Sequence, residues 1–167
     1  PKHAMKHNRD IANTLDRLAD LLAIDDANPF RIRSYRNAAQ TVRDLTENLA
    51  DKVANEEDLT ELRGIGKEIA SKIGEMVNTG RLRALEAAEE KVPPSLLELL
   101  HIEALGPKRI HQLHSELEIT DIDSLEKAAN DGSIGSLKGF SDKSVQKILD
   151  EIRRYRESGE ERRFLWE

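Results

Sequence analysis

Between Asn8 and Ile24 the apolar residues Ile11, Leu15, Leu18 and Leu22 recur at spacings of four, three and four. That period predicts an amphipathic helix. Asp25-Asp26-Ala27-Asn28 interrupts it, and Asn28 is placed to cap a second helix with Pro29 at its first position. This helix is predicted from Phe30 to Leu45, with Ala38, Ala39 and Val42 as a small apolar face. A weaker helical piece covers Glu47 to Val53. Asp58 to Gly80 reads as a short helix, a Gly64-Ile65-Gly66 turn and a helix over Lys67 to Asn78, with Gly80 as its C-terminal cap. Arg81 to Glu90 resumes helix until Pro93-Pro94, which marks a domain boundary and gives domains at 8–92 and 93–167.

The second half repeats the plan. Leu96 to Leu100 reads as helical, Glu103-Ala104-Leu105-Gly106 as a turn, and Pro107 as the start of a helix through Ile110, Leu113 and Leu117. Asp123 to Asn130 is a further short helix. A third turn, Leu137-Lys138-Gly139-Phe140-Ser141, precedes a helix through Val145, Ile148, Leu149 and Ile152. The one strand candidate, Glu118-Ile119-Thr120, is too short to count. The expected fold class is all-α, with two small helical domains, each built around helix-hairpin-helix motifs.

Composition narrows the chemistry. Of 167 residues, 38% are hydrophobic, 35% charged and only 4% aromatic, so any core is built from Leu, Ile, Val and Ala. The absence of cysteine excludes disulfides, a thiol nucleophile and an iron–sulfur site, and fits a cytoplasmic protein. No apolar run approaches the ~20 residues of a membrane span, so no membrane partner is expected. The chain begins at Pro1, with Met5 a candidate natural start and Pro1–Ala4 extraneous. Net charge is −6, which by itself disfavours a nucleic-acid partner. The charge is uneven: 15 basic and 17 acidic residues up to Lys91 give −2, and 11 and 15 from Val92 give −4. Local basic patches therefore remain open. His101, His111 and His114 lack a zinc-site pattern and read as surface or partly packed residues.

The three turns share one pattern: apolar, any, small, apolar, small, then polar residues opening a helix. They are Leu62-Arg63-Gly64-Ile65-Gly66-Lys67, Ile102-Glu103-Ala104-Leu105-Gly106-Pro107-Lys108 and Leu137-Lys138-Gly139-Phe140-Ser141-Asp142-Lys143. A turn without side chains lets backbone N–H groups approach an anion, and the helix starting there adds its positive end. Lys67, Lys108 and Lys143 add charge at that point. Such a turn holds a DNA phosphate without reading sequence. The bland alternative is a helix–helix turn in which glycine only supplies backbone angles. Phosphate binding leads clearly for the first turn. It leads modestly for the second, where Ala104 replaces a glycine, and is even with the alternative for the third, where Ser141 does.

From about Ile11 to Trp166 the chain resembles the N-terminal half of a family X DNA polymerase of bacterial or archaeal type. The segments that carry the likeness are Phe30-Arg31-Ile32-Arg33-Ser34-Tyr35-Arg36-Asn37-Ala38-Ala39, then Leu62 to Ile73, then Thr79-Gly80-Arg81-Leu82, then Leu105-Gly106-Pro107-Lys108. The resemblance implies an 8-kDa lyase-like domain followed by a fingers domain. The chain stops at about the point where the polymerase palm would begin, so the fragment is expected not to polymerise, and Mg²⁺ is expected only with that palm. The implied partner is double-stranded DNA with a gap or nick and a 5′-phosphate, bound by a monomer associated with the nucleoid.

Residue by residue, the resemblance makes Lys72 the candidate Schiff-base nucleophile of a 5′-deoxyribose phosphate lyase. It places Tyr35 in the lining of that pocket and Arg31 at a phosphate-binding position. Phe30 replaces a pocket histidine, Glu68 replaces a phosphate-contacting lysine, and Ala84 also lacks a basic residue of the animal members. An acid at Glu68 favours the ammonium form of a nearby lysine and repels phosphate. Lyase chemistry needs the neutral amine. Arg31, Arg33 and Arg36 read either as a phosphate patch, favoured for Arg31 and Arg36, or as a solvated face paired with acids such as Asp44 or Glu47. The resemblance also implies Na⁺ or K⁺ at the carbonyls of Thr60, Leu62 and Ile65 and of Leu100, Ile102 and Leu105. The backbone of Gly64, Gly66, Gly106 and Gly139, with Lys67, Lys108 and Lys143, forms the expected phosphate contacts.

Three functions are therefore weighed. The leading one is a DNA-binding module of a repair polymerase. The others are a lyase acting through Lys72 and a protein-interaction scaffold.

Overall fold

Asn28 Oδ1 accepts the backbone N–H of Phe30 at 2.9 Å, and Pro29 opens the helix behind it, so the second helix starts where the cap chemistry places it. The computed structural model describes residues 5–166, with side chains to residue 159. The extraneous-residue expectation for Pro1–Ala4 lies outside the described residues. Two compact units divide between Lys91 and Val92. The described residues form eight α-helices and two 3₁₀ segments, with no strand.

The first unit holds α1 (Asn8–Ile24), α2 (Pro29–Asp44), α3 (Leu49–Ala54), a 3₁₀ turn at Leu59–Glu61, α4 (Lys67–Thr79) and α5 (Arg83–Lys91). The predicted stripe of α1 is buried through Ile11, Leu15, Leu18 and Leu22. It packs on α2, whose Ala38, Ala39 and Val42 are fully buried. Small residues there let the two backbones approach, and Arg36–Asp20 (2.8 Å) and Arg43–Asp16 (2.6 Å) flank the seam. Gly80 ends α4 in the left-handed region, at φ 73°, as expected of a C-terminal glycine. Helix resumes only at Arg83, because Arg81 N–H donates to Thr79 Oγ1 (3.0 Å) and Arg83 N–H to Glu75 Oε2 (2.9 Å).

The second unit holds a 3₁₀ segment at Pro94–His101, then α6 (Pro107–Leu117), α7 (Ile122–Asn130) and α8 (Asp142–Trp166). Leu96 to Leu100 belongs to the 3₁₀ segment, not to an α-helix. Pro93 and Pro94 bring no N–H donors, and i→i+3 bonds close both ends, Leu96 N–H to Pro93 O and Ile102 N–H to Leu99 O. Between α7 and the third turn the chain makes further turns, with Gly132 at φ 87°. α7 carries a reciprocal cap: Ser124 N–H donates to Asp121 Oδ1 (2.8 Å) and Asp121 N–H to Ser124 Oγ (3.1 Å).

Candidate functional site

The three turns use one hydrogen-bond scheme. Each is closed from its fourth to its first residue: Ile65 N–H to Leu62 O (3.2 Å), Leu105 N–H to Ile102 O (2.9 Å) and Phe140 N–H to Leu137 O (3.3 Å). The helix after each begins with a bond to the last small residue: Ala70 to Gly66, Ile110 to Gly106 and Val145 to Ser141. The residue entering each turn is tied back three positions, Leu62 to Leu59, Ile102 to Leu99 and Leu137 to Ile134. The sequence repeat is thus a repeat of backbone geometry.

Two glycines differ in what demands them. Gly64 takes φ 76°, a left-handed conformation that a side chain resists. Gly66 takes φ −89° and ψ −175°, which any residue adopts, and a Cβ built on it meets nothing within 4 Å. Gly106 is the same, at φ −96° with an open Cβ direction. No force inside the protein requires glycine at 66 or 106. The bare backbone there leaves room for a partner to come close. Gly64 N–H has no hydrogen-bond partner among the described residues. Beside it, Asn37, Gln40, Thr41, Asp44, Arg63 and Gly64 line a polar cleft of about 330 Å³.

Lys67, Lys108 and Lys143 are all exposed, within the first two turns of the helices that follow the hairpins, and none forms an ion pair among the described residues. Arg31 stands over the ring of Tyr35, 5.9 Å from its centroid, and Arg33 over Phe30 at the same distance. Phe30 is 74% exposed. Arg36 is held by Asp20 of α1; neither Asp44 nor Glu47 is its partner.

The structure gathers Tyr35, Lys72 and Arg31 around Glu68. Tyr35, 1% exposed, donates its hydroxyl to Glu68 Oε1 at 3.1 Å. Lys72 Nζ donates to the same oxygen at 3.2 Å. The Lys72 bond first, then the Tyr35 bond, with Arg31 adding charge, hold the Glu68 carboxyl below its ordinary range. The site where the resemblance implies a phosphate thus already contains a carboxylate. Glu68 is the shared acceptor of this cluster.

Four side chains outside the predicted set tie the turns in place. Thr41 Oγ1 donates to Arg63 O (2.8 Å), and Gln112 Nε2 to Lys138 O (3.0 Å). Arg109 donates to Ala104 O (3.0 Å) and Gly139 O (3.1 Å), with its guanidinium 4.8 Å over the Phe140 ring. Ala104 N–H donates to Glu151 Oε2 at 2.9 Å. Glu151 had a sequence signal: it is an acid between Ile148 and Ile152, which form the apolar stripe of α8. His114 Nδ1 bonds Ile119 O (3.1 Å) and His101 stacks on Tyr155, and no cluster of three potential metal-ligand side chains occurs among the described residues. No helix among them is long and apolar enough to cross a membrane.

Comparison with known proteins matches both units. A family described as a helix-hairpin-helix domain covers residues 6–82, and one described as a SAM-like helix-hairpin-helix tandem covers 96–154. DNA polymerase/3'-5' exonuclease PolX of Bacillus subtilis (strain 168) is 33% identical over 146 residues, which is 87% of this chain. The chain spans 25% of that relative's length. With the turn geometry and the segments around Tyr35 and Gly64, these matches place the chain in the family X DNA polymerases, as a counterpart of their N-terminal helix-hairpin-helix part.

Proposed function

We propose that the chain binds duplex DNA through its phosphates, without reading sequence, and that a gap or nick carrying a 5′-phosphate is its preferred form. The observation that carries this is the first hairpin. It offers a Gly64 N–H without a partner among the described residues, a bare Gly66 whose Cβ direction is open among them, and exposed Lys67 at the start of α4. Backbone donors, the positive helix end and a lysine converge on one spot, which is what a phosphate needs. Exposed Arg31 and Arg36 extend the contact along α2, whereas Tyr35, expected to share it, is buried with its hydroxyl on Glu68 and supports Arg31 from beneath; exposed Phe30 beside Arg33 offers a face for an unpaired base. Gly106, Lys108, Gly139 and Lys143 supply the contacts of the second unit. The role is that of a DNA-holding module in a repair polymerase, acting as a monomer at the nucleoid.

The same reading includes a monovalent cation at the hairpins. The carbonyls of Leu62 and Ile102 each accept one turn-closing bond and keep a second lone pair, and with those of Thr60, Ile65, Leu100 and Leu105 they would supply the neutral oxygens that Na⁺ or K⁺ takes. Such an ion would offset phosphate charge.

The same geometry weighs against lyase chemistry through Lys72. Its amine donates to Glu68 Oε1 at 3.2 Å, so the lysine is engaged with a carboxylate instead of standing free to attack an aldehyde.

Fluorescence anisotropy tests the reading, with a one-nucleotide gap bearing a 5′-phosphate, the same gap without it, and intact duplex, each at low and moderate salt. Tightest binding to the phosphorylated gap, weakening with salt, is expected. Equal weak binding to all three reduces the function to a general backbone clamp, and no binding at low salt favours a protein-interaction scaffold. Borohydride trapping on an abasic 5′ end, compared with Lys72→Ala, decides the lyase question, and no trapping is expected.

A further inference from the structure

The second turn differs from its neighbours in the direction its middle peptide faces. In four-residue turns closed by the same bond, moving the third residue from positive to negative φ turns the middle peptide over. Gly64 and Gly139 sit at φ 76° and 90°, and neither Arg63 nor Lys138 is positive. Glu103 and Ala104 both keep negative φ. The surrounding side chains match the reversal. In the two glycine turns the middle-peptide oxygen meets a donor, Thr41 Oγ1 on Arg63 O and Gln112 Nε2 on Lys138 O. In the alanine turn the middle-peptide N–H meets an acceptor, Glu151 Oε2.

Glu151 is 8% exposed. Its other oxygen, Oε1, is buried without a hydrogen-bond partner among the described residues, and Lys147 Nζ is 4.0 Å from it. One bond to an amide needs only a neutral oxygen. A buried carboxylate with half its acceptor capacity idle is costly, and that bond alone does not account for the charge.

We propose that Glu151 is the resident anion of the second hairpin. Its carboxylate holds Ala104 N–H and fixes a negative charge at the turn, so this hairpin does not take an external phosphate on its middle peptide. Any phosphate contact here is confined to the Gly106–Lys108 end. The contrast with an open first hairpin rests on the phosphate-binding reading above; the closure of the second does not. Glu151 is thus a specificity-determining residue: it makes the second hairpin a different phosphate grip from the first.

The test uses the full chain labelled with ¹⁵N, following the amides of residues 64, 104, 106 and 108 during titration with inorganic phosphate and then with a short duplex. In the wild type, Ala104 N–H exchanges slowly with solvent and its resonance stays put under both titrants. Glu151→Gln keeps an acceptor, so slow exchange persists, while loss of the charge tightens duplex binding severalfold. Glu151→Ala speeds exchange at Ala104. If that variant does not fold, the Gln variant carries the test alone. Movement of the wild-type Ala104 resonance with phosphate or duplex overturns the proposal, as does unchanged duplex affinity in Glu151→Gln. If neither protein binds duplex, the DNA reading falls by itself. Inorganic phosphate then decides: a larger shift at the amides of residues 106 and 108 in the Gln variant than in the wild type sustains the proposal, and an equal response in the two proteins overturns it.

Discussion

The first and second hairpins close their turns with the same bond and start their helices with the same bond, yet they treat their middle peptides in opposite ways. Around Gly64 the oxygen of that peptide is tied to Thr41, and Gly64 N–H has no partner among the described residues. Around Ala104 the N–H is tied to a buried carboxylate and the following carbonyl to Arg109. One residue type accounts for the difference. Glycine tolerates φ 76°, and alanine at that angle would be strained, so the alanine turn takes the other peptide orientation and needs an acceptor where the glycine turn needs a donor. A helix-hairpin-helix repeat is therefore not a unit of fixed function. Its shape survives the loss of a glycine, and its exposed chemistry does not.

The largest effect that would break this comparison is expected at Glu151. Glu151→Ala leaves Ala104 N–H unpaired in a covered site, which costs about 1–3 kcal/mol of the second unit's stability. Glu151→Gln recovers most of it. Denaturant unfolding of both variants checks this, and equal stability of Ala and Gln variants would mean that the bond contributes nothing. Next is Gly64→Ala. The side chain has room, with Thr41 Oγ1 at 3.8 Å from a built Cβ, so the cost is conformational, about 1–2 kcal/mol for a non-glycine residue at positive φ. The reverse change at the second turn, Ala104→Gly, costs less because it strains nothing; it adds only unfolded-chain freedom, about 0.4–1 kcal/mol. If Gly64→Ala and Ala104→Gly destabilise equally, the two turns do not differ as described.

Much of this was legible in the chain. The stripe of α1, the Asn28–Pro29 start of α2, the Gly80 cap and the threefold turn pattern are all local, and local chemistry decided them. What the chain did not show depends on distant partners. Replacement of a glycine by Ala104 reads only as a weaker phosphate turn until Glu151, 47 residues on, is seen to meet its amide. Arg36 pairs with Asp20 rather than with the nearer Asp44 or Glu47, because packing of α1 on α2 sets its neighbours and sequence distance does not. Glu68 reads in the sequence as a lost lysine. In the fold it is the shared acceptor of Tyr35 and Lys72. The acidic total hides three exposed lysines, one after each turn, none of them in an ion pair among the described residues.

A smaller effect separates the units by pH. Lys72 foremost, then Tyr35 and Arg31, lower the Glu68 carboxyl in the folded state. A group lowered on folding contributes its full stability above the unfolded carboxylate's pKa and loses it as pH falls through the folded value. Acidification should therefore cost the wild type more than Glu68→Gln, with a modest difference because the carboxylate is largely exposed. Parallel melting temperatures of the two proteins across the acid range would remove Glu68 from the stability of the first unit.

The smallest effect on the fold is expected at Gly66, and it is the one that separates a structural glycine from one kept for a partner. Its backbone angles suit any residue, and a methyl group there meets nothing. Gly66→Ala should leave the melting temperature unchanged or slightly raised, since alanine has less freedom to lose on folding. If a phosphate seats against this backbone, the same methyl stands in its path, and affinity for the phosphorylated gap should fall severalfold with no change in stability. Gly64→Ala cannot make this distinction, because it strains the turn and lowers binding and stability together. Ser141, which holds the matching place in the third turn, already carries a side chain, and its Oγ accepts Ser144 N–H at 3.2 Å. Ser141→Gly should thus cost a few tenths of a kcal/mol as a lost cap and tighten binding if bare backbone is what phosphate needs. Opposite shifts in affinity at 66 and 141, with little change in either unit's stability, would tie the glycines to the partner. Unchanged affinity at both would leave them as inert spacers in a helix–helix turn.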